Sequence, residues 1–218
     1  MMYGYHYVPR SPAQTAIFTV EGAGSIAVQP DTVRIVVGAI TEGKDLTDIQ
    51  QQNASIMNAI LAGLRQLGIP ESNIQTNDYR IEPQYDYSTS SGILKGYRVT
   101  HTLLITIQNV DQTGMIIDNA VKNGANYIGN ITFTLSSPSA VYNQALAVAV
   151  KDAYTKAQTL ARASGFSNDP VIVEITEQTE LPIRPMVLAA TKEYTPTPIQ
   201  AGQITITAKI IVKFTINQ

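Results

Sequence analysis

Thr19-Val20-Glu21-Gly22-Ala23-Gly24-Ser25-Ile26-Ala27-Val28-Gln29-Pro30-Asp31 carries glycines at the spacing of a dinucleotide-binding turn. Gly22, Gly24 and Ala27 follow a strand-like run at 17–20. Such a turn holds a pyrophosphate only where a helix begins, because the helix N-terminus supplies the N–H groups. Pro30 follows too soon after Ala27, and the β-branched run Val33-Arg34-Ile35-Val36-Val37 then resumes strand character. The stretch therefore reads as a strand–turn–strand entry to a sheet, with no cofactor-binding residues. Its structural turn residues are Glu21, Gly22, Gly24, Pro30 and Asp31. The glycines permit positive φ or close backbone approach. Pro30-Asp31 sets a second turn, and Glu21 is placed to accept backbone N–H bonds.

Composition narrows the functional classes. The 218 residues carry a net charge of −2, so no basic field attracts a phosphate backbone and no nucleic-acid partner is expected. Only 15% of residues are charged, against about 25% in ordinary soluble domains. Self-association is the simplest account of so little charge repulsion. Cysteine is absent, which excludes disulfides, thiolate nucleophiles and Cys-ligated metals. The N-terminal residues have no apolar core of signal-peptide length, which predicts a cytoplasmic protein. The uncharged run at 123–150 is interrupted by Asn126, Asn130, Ser136, Ser137 and Pro138, so it is not a membrane span.

Along the chain, residues 1–15 read as a disordered Tyr- and Pro-rich tail. Strands are predicted at 17–21 and 33–41. A helix over 47–67 follows, with a Thr47/Gln50 capping box and a stop at Gly68 and Pro70. Strands at 75–87 and 97–110 flank a Ser/Gly hairpin loop, and Pro83 marks the first as an edge or bulged strand. Asp111 caps a short helix reaching Gly124, and 128–135 is a strand. Pro138 opens the longest helix, with alanines at 145, 149, 153, 157 and 161 forming a stripe for close packing. Strands at 171–177 and 204–216 flank a Pro-rich arm at 178–202. Hairpins mixed with helices argue for an α+β fold, in which two long helices and one short helix pack on largely antiparallel sheet. Residues 16–218 form one such domain or two subdomains.

Candidate chemistry is sparse. His101 lies mid-strand among Val99, Leu103 and Ile105 and reads as a packed or interface histidine. His6 and His101 have no metal-ligand spacing, and no metal site is expected. Asp78, Glu82 and Asp86 alternate with Arg80 among them and read as a solvated, ion-paired strand edge. Tyr79, Tyr85, Tyr87 and Tyr97 resemble a stacking platform but are opposed by those carboxylates. A protein–protein surface suits them better. Catalytic residues are not assigned.

The chain resembles the SIMPL-domain family, which includes periplasmic immunogenic proteins. The likeness rests on Val20-Glu21-Gly22-Ala23-Gly24 with Val28-Gln29-Pro30-Asp31-Thr32, then Leu67-Gly68-Ile69-Pro70, Ile74-Gln75-Thr76 and Pro83-Gln84-Tyr85-Asp86-Tyr87. Gly96-Tyr97-Arg98-Val99, Gly124-Ala125-Asn126 and Ala163-Ser164-Gly165 extend it over about 16–216. The resemblance implies an α+β protein that assembles into large rings or barrels, without assigned catalytic residues. It also implies envelope or cell-surface location, the alternative to the cytoplasm. The expected subunit contacts, or ligand surface, are the tyrosine hairpin with His101 and the arm residues Met186, Val187 and Leu188. The expected function is structural or stress-protective. The alternative is a small-molecule or peptide binding module near Tyr97 and His101.

Overall fold

Val33, Ile35, Val37 and Ala39 alternate along one strand and are all fully buried, which fixes the face of a sheet that meets helices. The computed structural model describes residues 15–88, 92–178 and 199–217. Its elements are β1 (Thr15–Val28), β2 (Thr32–Gly43), α1 (Leu46–Gln66), β3 (Ile74–Asp86), β4 (Ile93–Ile107), α2 (Thr113–Lys122), β5 (Tyr127–Thr134), α3 (Pro138–Ala163), β6 (Val171–Gln178) and β7 (Ile204–Asn217). Two antiparallel sheets, two long helices and one short helix make it an α+β protein. The expected tail lies outside the described residues except for Thr15, as do Met186, Val187, Leu188 and most of the arm.

The chain divides into two compact units. Among the described residues, 28–88, 92–136 and 199–204 form one, running β2-α1-β3-β4-α2-β5. Its four-stranded sheet has the order β3-β4-β2-β5, the split β-α-β arrangement of ferredoxin-like folds. β4 pairs with β2 in an unbroken antiparallel register from Val33↔Ile107 to Gly43↔Tyr97. α1 and α2 bury Met57, Ile60, Leu64, Ile116 and Ile117 against the β2 and β4 face. α1 ends as its sequence predicts, with Gly68 at φ +76 and Ile69 N–H donating to Leu64 O at 3.1 Å. Its start differs. Asp45 is the N-cap, accepting from Thr47 N at 2.8 Å and Asp48 N at 3.1 Å, because a carboxylate there reaches two orphan amides at once. Likewise Asn109, not Asp111, caps the turn before α2, accepting Asp111 N–H at 3.1 Å.

The other unit comprises, among the described residues, 15–27, 137–178 and 205–217. Its sheet has the order β1-β7-β6, and α3 covers it. β7 buries Ile210, Val212 and Phe214 against the alanine stripe of α3 and against Val20 of β1. The expected turn at Gly22-Ala23-Gly24 is corrected here: both glycines lie inside the 14-residue strand β1, and the bend falls at residues 29–31. Their small size serves packing. A Cβ on Gly22 would collide with the Ala149 carbonyl and lie 2.8 Å from Ala153 Cβ. One on Gly24 would collide with the Ala145 carbonyl and lie 2.6 Å from Ala149 N. Glycine and alanine thus let the helix backbone rest on the strand.

Gly24→Ala is expected to destabilise the protein by about 1–3 kcal/mol, the usual cost of forcing a methylene into a packed contact. Chemical denaturation monitored by circular dichroism measures it. A solvent-side control, Ser25→Ala, is expected to change stability by less than about 1 kcal/mol, because its exposed bond to Thr207 is a weak one.

Candidate functional site

Close approach of α3 brings polar side chains to the free edge of β1. Asp152 Oδ2 accepts Ala23 N–H at 2.9 Å, and Lys156 Nζ donates to Glu21 O at 2.9 Å and to Asp152 Oδ2 at 2.7 Å. The Lys156 ammonium, and then the Ala23 amide, hold the Asp152 carboxyl below its ordinary 3.8. Glu21 therefore takes part through its backbone carbonyl rather than by accepting N–H bonds from a turn. Side chains from the helix satisfy main-chain groups that an edge strand leaves open. This arrangement is structural in character.

Pro30 and Asp31 occupy the link between β1 and β2. Asp31 accepts Ser136 N–H and Ser136 Oγ–H at 2.6 Å each, and Thr32 Oγ–H at 2.9 Å. The Ser136 hydroxyl is the chief cause of its lowered pKa. The carboxylate thus ties the start of β2 to Ser136, two residues beyond the end of β5. Asn126 does similar work at the other end, where its amide accepts Ile40 N–H at 2.7 Å and donates to Ile40 O at 2.8 Å.

The tyrosines separate into two groups. Tyr79 meets His101 edge-on with ring centroids 5.1 Å apart, and Gln50 of α1 donates to the Tyr79 hydroxyl at 3.0 Å. Tyr85 and Tyr87 pair at 6.1 Å near the hairpin tip. Tyr97 stands opposite Pro83 in the register. The irregularity at Thr76/Asp78 precedes Tyr79, and at Gln84/Tyr85 the extra residue is Lys95 on β4, so Tyr79, Tyr85 and Tyr87 keep alternating positions along β3 and its end. Beneath His101, the fully buried Asn53 donates to Ala39 O at 3.0 Å and Val99 O at 3.4 Å, while its Oδ1 has no hydrogen-bond partner. Asn53 lies in helical register with Ile49, Met57, Ile60 and Leu64 on the buried side of α1, so helical spacing carries a signal for it. The contacts of Asp152 with Ala23, of Lys156 with Glu21 and of Ser136 with Asp31 had no such signal, because each spans more than 100 residues of sequence.

Charged groups on β3 and β4 form local pairs: Arg80 with Asp78 at 2.7 Å, Lys95 with Asp86 at 2.6 Å, and Arg98 with Glu42 at 2.6 Å. Among the described residues, no cluster of three His, Asp or Glu side chains could hold a metal ion. No described helix is long and apolar enough to cross a membrane.

These features define a two-sheet α+β protein. The chain belongs to the SIMPL family, described as a protein of unknown function (DUF541), whose pattern matches residues 18–214. It is 30% identical over 217 residues to the 26 kDa periplasmic immunogenic protein of Brucella melitensis, covering 94% of this chain and 86% of that protein. It is 28% identical over 145 residues to the uncharacterized protein YggE of Escherichia coli K12, covering 66% of this chain and 58% of that protein. The cytoplasmic expectation is corrected by the Brucella relative, which is named a periplasmic protein and points to the envelope. The absence of a signal-like core is a weak guide, because export signals lie outside the folded domain and leave no mark on it.

Burial lowers the His101 pKa below its ordinary 6.5, so folding favours the neutral imidazole. Its contribution to stability is full above pH 6.5 and is lost as pH falls through the lower folded value. The lowered carboxyls of Asp31 and Asp152 act in a separate window, below 3.8. Urea unfolding of His101→Gln at a series of pH values is expected to lose the decline just below pH 6.5 and to keep the acid limb.

Proposed function

We propose that this protein is a non-enzymatic, self-assembling component of the cell envelope, with a structural or stress-protective role. The observation that carries the reading is apolar surface on two separate pieces of strand. At the β3–β4 hairpin Tyr87 is 77% and Ile93 59% exposed, with Tyr85 and Leu94 beside them. On β6, an edge strand, Val171 is 62% and Val173 57% exposed, and Ile175 extends the same run. Exposed apolar strands of this kind are sites where chains pair or associate. The low charge content removes the repulsion that keeps monomers apart. The name of the Brucella relative supports placement in the envelope.

Size-exclusion chromatography with light scattering tests the reading. An assembly is expected at micromolar concentration, and a clean monomer there overturns it. The double variant Tyr87→Ser/Ile93→Ser and the single variant Val173→Lys are each expected to lower the assembled mass while leaving the circular dichroism spectrum unchanged. Their sites are exposed, so they remove contact area without opening a core.

A further inference from the structure

A cleft of about 830 Å³ lies within the four-stranded unit, where residues 29–31, 108–111 and 199–201 meet beyond the start of β2 and the end of β4. Its volume falls in the range of about 300–1,000 Å³ typical of ligand sites. Its floor is apolar: Pro30 is buried, and Val110, Ile199 and Ala201 are half-buried. Its rim is polar and carries the carboxylates of Asp31 and Asp111 with the amides of Gln29, Gln108 and Asn109. Among the described residues, no lysine, arginine or aromatic side chain lines it.

We propose that this cleft binds a lysine side chain presented by an extended peptide. The chemistry of the lining leads to that ligand by elimination and by fit. Two carboxylates repel anions and attract an ammonium group. A saccharide would normally be held by an aromatic ring, and no described lining residue is aromatic. A lysine has a four-carbon stem to lay on the Pro30, Val110 and Ile199 floor, with its charge at the wet rim. The rim amides each offer donors and an acceptor for the peptide main chain.

The walls are held in place beforehand. Asp31 is fixed by three hydrogen bonds from Ser136 and Thr32, and these leave acceptor capacity on Oδ2. Its ionised form is favoured by those same bonds. The Asn109 cap on Asp111 N fixes the opposite wall, and Ile199 packs into the core. A pre-ordered site loses less entropy on binding. This inference goes beyond the assembly reading and does not rest on it.

Nuclear magnetic resonance titration of the full chain with an end-blocked Ala-Lys-Ala peptide tests the site. Saturable shifts are expected at residues 29–32 and 108–111, weakening as salt is raised. Asp111→Asn, at an exposed position, is expected to weaken binding about fivefold, the scale of one half-exposed ion pair. The same peptide with acetyl-lysine is expected to bind more weakly by a similar factor. Equal binding of the acetylated peptide overturns the proposal, as does an unchanged affinity in Asp111→Asn. So does the lack of any saturable shift at about 10 mM peptide, beyond the millimolar range of weak complexes. The readout is shifts at named residues rather than mass, so a failure of this proposal and a failure of the assembly reading are told apart.

Discussion

The contact between Gly22 and Gly24 of β1 and the alanine stripe of α3 is the constraint on which the three-stranded unit depends. Five alanines, at 145, 149, 153, 157 and 161, are buried on one side of a 26-residue helix. A helix with larger residues there would stand farther from the strand. At that distance Asp152 and Lys156 would no longer reach the Ala23 amide and the Glu21 carbonyl. The same small residues therefore do two things: they bring the backbones together, and they allow side chains to close an edge strand. Dispersion contacts at such a seam are individually weak and collectively large, which is why one added methyl matters.

The four-stranded unit is held differently. Its core is a conventional layer of β-branched and aliphatic side chains between sheet and helices, and its polar residues secure the ends of β2. Asp31 binds Ser136 at one end, and Asn126 pairs with the Ile40 backbone at the other. Asn53 adds a polar group in the middle of the layer, bonded to the carbonyls of Ala39 and Val99. Buried polar groups of this sort contribute little net stability but penalise alternative packings that would leave them unpaired. The candidate surfaces are thus built on a framework of packed and hydrogen-bonded elements.

Much of the fold was legible locally. The period-2 pattern of β2, β4 and β7 and the 3.6-residue spacing of α1 placed each element within a few residues of its observed bounds. Proline and glycine punctuation placed the start of α3 at Pro138 and the end of α1 before Gly68. Where local reading failed, a competing signal was present. Asp45 outcompeted Thr47 as a cap because it lies one residue before the observed helix, where its carboxylate reaches two free amides. The irregularity of β3 at Thr76/Asp78 is set by pairing with β4, and no local pattern announces it.

The sequence by itself determined the order of strands and helices, the α+β class and the family, since each follows from periodicity, turn residues and motifs within a short window. Only the tertiary structure decided what Gly22 and Gly24 are for, which partner holds Asp31, and where a cleft opens. Glycine in a strand and glycine in a turn look alike until the helix that crosses it is placed. That helix lies more than 100 residues further along the chain, at a distance where side-chain spacing carries no information about contact.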